Sequence, residues 1–171
     1  MRAMRNGLMG LAGLSLLALS CVERPVDKGI EQPIAFSHAV HVGKKEIACT
    51  ECHAGAETGA RASLPSFDTC LRCHMKPQGD QPNPKEQDVR RLFAEKKRIR
   101  WIQVNRNPGH VYFSHRAHVS IARMPCKQCH GDVSLWKEPP AFPEPSLNDM
   151  ETCMDCHRRN GASNGCRVCH H

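Results

Sequence analysis

Phe113-Ser-His-Arg-Ala-His-Val-Ser-Ile-Ala-Arg-Met-Pro-Cys-Lys-Gln-Cys-His130 sets a pair of histidines, His115 and His118, ahead of a Cys-x-x-Cys-His motif. Working outward from this stretch, the motif occurs five times in the 171 residues. The copies are Cys49-Thr-Glu-Cys52-His53, Cys70-Leu-Arg-Cys73-His74, Cys126-Lys-Gln-Cys129-His130, Cys153-Met-Asp-Cys156-His157 and Cys166-Arg-Val-Cys169-His170. In such a pattern two thiols add to the vinyl groups of a porphyrin, and the next residue becomes the proximal iron ligand. The close spacing is required because one ring is stapled at one edge and ligated from one face. Zinc or a disulfide framework would use the cysteines, but neither calls for a histidine directly after every pair. The expectation is five covalently bound haem c groups. The ten motif cysteines supply the thioethers, and His53, His74, His130, His157 and His170 the proximal iron bonds.

The leading histidine pair also repeats. Phe36-Ser-His38-Ala-Val-His41-Val precedes Cys49 just as Phe113-Ser-His115-Arg-Ala-His118-Val precedes Cys126. Each first histidine lies 11 residues before its cysteine, and the two units are offset by 77 residues. A repeat at this scale divides the chain into modules: a leader over 1–20, a tether over 21–33, a dihaem module over 34–77, a loop and basic helix over 78–110, a second dihaem module over 111–158 and a fifth-haem tail over 159–171. Of the 11 histidines, the proximal five leave His38, His41, His110, His115, His118 and His171 for five distal positions. His38 and His115 are assigned to the haems of their own modules, and His41 and His118 to neighbouring haems. The fifth distal ligand is assigned to His171, with His110 and the methionines Met75, Met124, Met150 and Met154 as rivals.

Composition fits a haem-filled interior. With 5% aromatic residues, 12 Gly and 12 Pro, a polypeptide core would be thin for this length, and large apolar macrocycles would replace it. The expected fold is mainly α and irregular, with short helices and loops wrapped around five haems and little sheet. The formal charge of +7 loses Arg2 and Arg5 with the leader. Bis-ligated ferric haems, each about one net negative charge with its propionates, bring the rest near neutrality. Nucleic-acid binding is therefore not implied.

Residues 1–5 are basic and residues 8–19 form an apolar run ending in Leu17-Ala-Leu-Ser-Cys21. The run has the length of a signal h-region and is shorter than the ~20 residues of a membrane span. Small residues before a cysteine resemble a bacterial lipoprotein processing site, although Ala18 stands where Leu is preferred. Lipidation at Cys21 is the expectation, with ordinary signal cleavage or an uncleaved anchor as alternatives. Export to the periplasmic side of a membrane follows in each case.

Between the modules, residues 76–85 hold Pro77, Pro82, Pro84 and Gly79 and read as a loop. Residues 86–100 read as a helix with Val89, Leu92, Phe93 and Ile99 along one side. Arg90, Arg91, Lys96, Lys97, Arg98 and Arg100 would make it either a docking patch or a solvated face that neutralises propionates. The segment 138–145, with four prolines, reads as an extended loop over a haem edge, and Trp101 and Trp136 as packing residues.

The Phe-Ser-His-x-x-His units followed by Cys-x-x-Cys-His resemble the class III cytochromes c. The second half is more specific. Trp101-Ile-Gln-Val104, Pro108, Val111-Tyr-Phe-Ser-His115-x-x-His118-Val119, Cys126-x-x-Cys-His-Gly131 and Met150-x-x-Cys153-x-x-Cys-His-Arg158 resemble the pentahaem cytochrome c subunit of alternative complex III. The likeness spans residues 34–158. It implies an electron-transfer subunit rather than an enzyme in its own right. Its partners would be iron–sulfur (molybdopterin-like) and quinone-binding subunits of a membrane quinol oxidoreductase, together with a periplasmic electron acceptor. Family members are often anchored by an N-terminal helix, so a lipid anchor would be a departure. In class III proteins a histidine directly after a proximal one, as His171 follows His170, serves a different haem. A free periplasmic carrier and a multihaem reductase with one open iron are the alternatives.

Overall fold

Single helical turns at the motifs, joined by irregular chain, make up residues 28–81 and 83–171, which the computed structural model describes. The leader, Cys21 and the first part of the tether lie outside the described residues. The helices are α1 (Cys49–Cys52), α2 (Gly55–Thr58), α3 (Phe67–His74), α4 (Pro84–Ala94), α5 (Lys127–His130), α6 (Met150–Arg159) and α7 (Cys166–Cys169). Two π-helical turns, Ala39–Lys44 and Ala117–Ile121, and two 3₁₀ turns, Val133–Leu135 and Pro145–Asn148, complete the regular structure. Among the described residues there is no strand. The mainly α, irregular architecture expected of the sequence is what the chain adopts.

The longer helices carry their own start signals. Asn83 caps α4 by accepting a hydrogen bond from the Lys85 amide, and Pro84 sits at its first position, where the missing N–H costs nothing. Pro84 therefore opens the helix instead of belonging to the preceding loop. The helix also stops at Ala94, short of the expected Arg100. Lys96 takes φ +54°, while the Lys97 amide donates to Leu92 O and the Lys96 amide to Phe93 O. This pair of bonds is a Schellman closure with a lysine where glycine is usual. Asp149 caps α6, accepting from the amide and hydroxyl of Thr152 at 2.8 and 2.7 Å.

The two Phe-Ser-His-x-x-His segments build the same wide turn. In the first, Lys45 N donates to Val40 O, and in the second Ala122 N donates to Ala117 O, both at 3.0 Å. Phe36 lies edge-on to His38 at 4.9 Å and parallel to His41 at 4.4 Å. Phe113 repeats this with His115 at 4.9 Å and His118 at 4.5 Å.

The repeats grip each other reciprocally. The first π turn packs on Val133–Leu135, just beyond the Cys126 motif, through Ala39 N donating to Trp136 O at 2.8 Å. Gly43 makes that approach possible, since a Cβ there would sit 2.7 Å from Ser134 O. The second π turn packs on the chain just beyond the Cys49 motif. Arg116 N donates to Gly59 O, His115 N to Ala60 O and Ser120 Oγ to Glu57 O at 2.7 Å. The C-terminal tail docks by Tyr112 N donating to Cys169 O at 2.8 Å.

The polypeptide has almost no core of its own. Among the described residues only Ile34, Ala56 and Leu71 are buried apolar side chains. Leu135, Ile121, Met75 and Met150 are all more than half exposed. The Pro-rich 138–145 segment meets the irregular chain around residue 30, with Ile30 N donating to Ala141 O at 2.7 Å.

Candidate haem-binding sites

The motif cysteines sit on α1, α3, α6 and α7 and, for the third motif, at the N-cap (Cys126) and within α5 (Cys129), so each pair of thiols projects from about one helical turn. None of these ten is paired in a disulfide. Burial raises the thiol pKa of Cys49, Cys52, Cys70, Cys129 and Cys153, which favours the neutral thiol over the thiolate. Cys49 is raised further by the charge and hydrogen bonding of Cys126. Among the described residues no three His, Cys, Asp or Glu side chains converge as a metal cage, which is what a structural zinc site would need.

The histidines converge in twos instead. Ring centroids of His41 and His74 are 6.0 Å apart, those of His118 and His157 6.1 Å, and those of His115 and His130 6.5 Å. The ring planes of His115 and His130 are parallel to within 2°. A metal–imidazole bond is about 2 Å and a ring radius about 1.1 Å, so a metal held between two imidazoles sets their centroids about 6 Å apart. Two protein nitrogens fill only part of an iron's coordination sphere. The macrocycle of a haem would supply the remainder, so the residues of these pairs fit haem. The His38 ring lies within electrostatic range of His53. Burial, then His53 and His41, lower its pKa to about 4. His38 is therefore neutral at physiological pH, with a lone pair to offer. Burial, with His115 and His53 nearby, lowers His130 as well.

Outer hydrogen bonds fix the ring orientations. Nδ1 of His41 donates to Ser37 O at 2.9 Å and Nδ1 of His118 to Ser114 O at 2.8 Å, the same contact in both repeats. His53 donates to Ser63 O, His115 to Ala60 O and His157 to Ser163 O. A carbonyl oxygen carries no proton, so Nδ1 must be the protonated nitrogen and Nε2 keeps its lone pair for a metal. Nδ1 of His38 is buried without a partner.

At the chain end, the structure brings His110 to His170. Their rings lie 5.4 Å apart at 24°, and Nδ1 of His170 donates to His110 O at 3.1 Å. The His171 ring stacks on Tyr112 at 3.8 Å. Met75 and Met150 are exposed.

Comparison with known proteins matches this geometry. Residues 19–103 match the class III cytochrome c family, and residues 111–171 match the family of cytochrome c7 and related cytochromes c. A menaquinone reductase multihaem cytochrome c subunit from Nitratidesulfovibrio vulgaris is 33% identical over 162 residues, covering 82% of this chain and 77% of the relative. The chain belongs to the class III multihaem cytochromes c.

In this cytochrome, covalently bound haem c is the cofactor and electron transfer the activity. One site residue has no counterpart in the sequence reading. Glu86 on α4 is buried and accepts hydrogen bonds from His74 Nδ1 at 3.1 Å, Gln78 N at 3.0 and 3.2 Å and Arg90 Nη1 at 2.7 Å. Burial works against its ionisation, but the hydrogen bonds from His74 and Gln78 and the charge of Arg90 outweigh it and hold its pKa below the usual range. Nothing in the sequence distinguishes Glu86 from other solvated helix carboxylates, because its contact with His74 exists only once α3 and α4 pack together.

Proposed function

We propose that the cytochrome carries five haems, each ligated by two histidines, and serves as the electron-transfer subunit of a membrane quinone oxidoreductase. The observation that carries this reading is the 6.0–6.5 Å spacing of three histidine pairs. Bound haem supplies one-electron chemistry at iron. The chain's part is to hold both axial positions and exclude exchangeable ligands. The pairs are His38 with His53, His41 with His74, His115 with His130, His118 with His157, and His110 with His170. His110 thus takes the place assigned from sequence to His171. The ten motif cysteines form the thioethers.

Proximities among the cysteines support a single line of attachment sites. Cys52 feels the charge of Cys73, and Cys70 that of Cys52. Cys49 contacts Cys126, Cys129 senses Cys156, and Cys153 senses Cys169. These proximities support a line of attachment sites in the order Cys70, Cys49, Cys126, Cys153, Cys166. The two repeats form the middle of the line, and the Cys70 and Cys166 motifs are its ends. A wire of this kind conducts in either direction, and its partners set the flow. The relative is named as part of a menaquinone reductase, which supports a quinone-reactive membrane partner. The resemblance to the alternative complex III subunit supports iron–sulfur and quinone-binding subunits and a periplasmic acceptor.

A carbon monoxide titration of the reduced, undenatured protein tests the ligation. Six-coordinate bis-histidine iron gives no stoichiometric complex. Binding of about one equivalent would overturn the reading in favour of a reductase with an open haem.

Export and lipid anchoring at Cys21 are part of the same proposal, supported by the basic residues 1–5, the apolar run 8–19 and the following cysteine. Among the described residues no helix is long and apolar enough to cross a membrane. Cys21→Ala is expected to move the protein from the membrane fraction to the soluble periplasmic fraction. Retention in the membrane fraction of a strain lacking the partner subunits would count against the lipid anchor.

A further inference from the structure

We propose that the Glu86 carboxylate, hydrogen-bonded to Nδ1 of His74, lowers the reduction potential of the haem attached at Cys70 and Cys73. The inference rests on the reading of His74 as a proximal ligand and goes beyond it.

The motif histidines differ in what their outer nitrogen meets. His53, His157 and His170 donate to backbone carbonyls, whereas His74 donates to a carboxylate. An ionised acceptor makes a stronger, charge-assisted hydrogen bond than a neutral one. It draws electron density through the imidazole and raises the basicity of the ligating nitrogen. A more basic ligand and a nearby negative charge both favour the ferric state over the ferrous one. The interaction is shielded from water, since the Glu86 side chain is 5% exposed and that of His74 22%. On reduction the iron gains one electron and the hydrogen bond persists, so no proton needs to move.

The carboxylate is held in place from three directions. The Gln78 amide fixes the loop after α3 to it, and Arg90, one turn along α4, provides the countercharge. Arg90 tempers the effect of Glu86, so the two residues pull the potential in opposite directions. This opposition separates electrostatic tuning from a merely structural role. Glu86→Gln keeps an oxygen for the Gln78 amide but removes the charge and the strong acceptor.

Spectroelectrochemical titration of the full-length holoprotein, with electron paramagnetic resonance of the low-spin ferric signals, tests the proposal. In Glu86→Gln one of the haem potentials is expected to rise by at least about tenfold in its reduction equilibrium, about 59 mV for a one-electron couple. The signal of that haem shifts while the others stay. Arg90→Gln is expected to move the same potential downward. Potentials in Glu86→Gln that superimpose on those of the wild type, or that all rise equally, overturn the proposal. Should Glu86→Gln fail to retain its haems, Arg90→Gln decides, and an unmoved or raised potential there overturns it. Peptide mass analysis showing no haem on Cys70 and Cys73 of the wild type would instead sink the ligation reading.

Discussion

If His110 ligates as proposed, replacing it with alanine is expected to open one iron. The reduced variant is expected to bind about one equivalent of carbon monoxide per chain, with a high-spin ferric signal accompanying the low-spin ones. His171→Ala is expected to bind none and to keep the wild-type spectrum. The contrast follows from the last turn of the chain. His170 adopts φ −123° and ψ 111°, an extended conformation in which successive side chains point to opposite sides. One side faces His110, whose carbonyl also receives the His170 Nδ1 proton. The other sends His171 onto the face of Tyr112. Carbon monoxide binding by His171→Ala but not by His110→Ala would reverse the assignment. Binding by neither would show that another side chain fills the position.

The chain without haem is expected to have no cooperative fold. Produced where haem cannot be attached, it should show no calorimetric unfolding transition, no near-ultraviolet dichroism from its two tryptophans, and digestion by protease within minutes. Ordering a residue's backbone costs roughly 1–2 kcal/mol. Three buried apolar side chains among the described residues cannot offset that over a domain of this length. The surface ion pairs add little, because Arg72–Glu51, Lys85–Glu138 and Arg91–Asp88 are each more than half exposed and such pairs contribute at most about 1 kcal/mol. The reciprocal contacts between repeats are hydrogen bonds such as Ala39 N to Trp136 O, which position the turns without supplying a driving force of apolar burial. A haem-free chain that melted cooperatively near the temperature of the holoprotein would show that the polypeptide carries its own stability.

Some of the site was legible because its chemistry is local. A Cys-x-x-Cys-His motif places its three reactive groups within five consecutive residues, so no tertiary information is needed to read it. The π turns were legible as a repeat, and the shared Phe–His geometry of Phe36 and Phe113 shows why. One aromatic ring orients both histidines within a single turn. The basic helix was misjudged at both ends. A proline can open a helix as readily as break one, which Pro84 does, and a lysine at positive φ closes it after Ala94.

The sequence by itself determined the cofactor and the electron-transfer role, because covalent attachment and proximal ligation depend on neighbours in the chain. It also determined that the histidine supply nearly matches the demand for distal ligands. Only the tertiary structure decided which histidine meets which. The proposed choice of His110 over His171 rests on how residues 108–112 pass the C-terminal tail, and the Glu86 contact on how α4 packs against α3. Both are meetings of residues far apart in the chain, and their geometry is set by packing, which no spacing along the chain encodes.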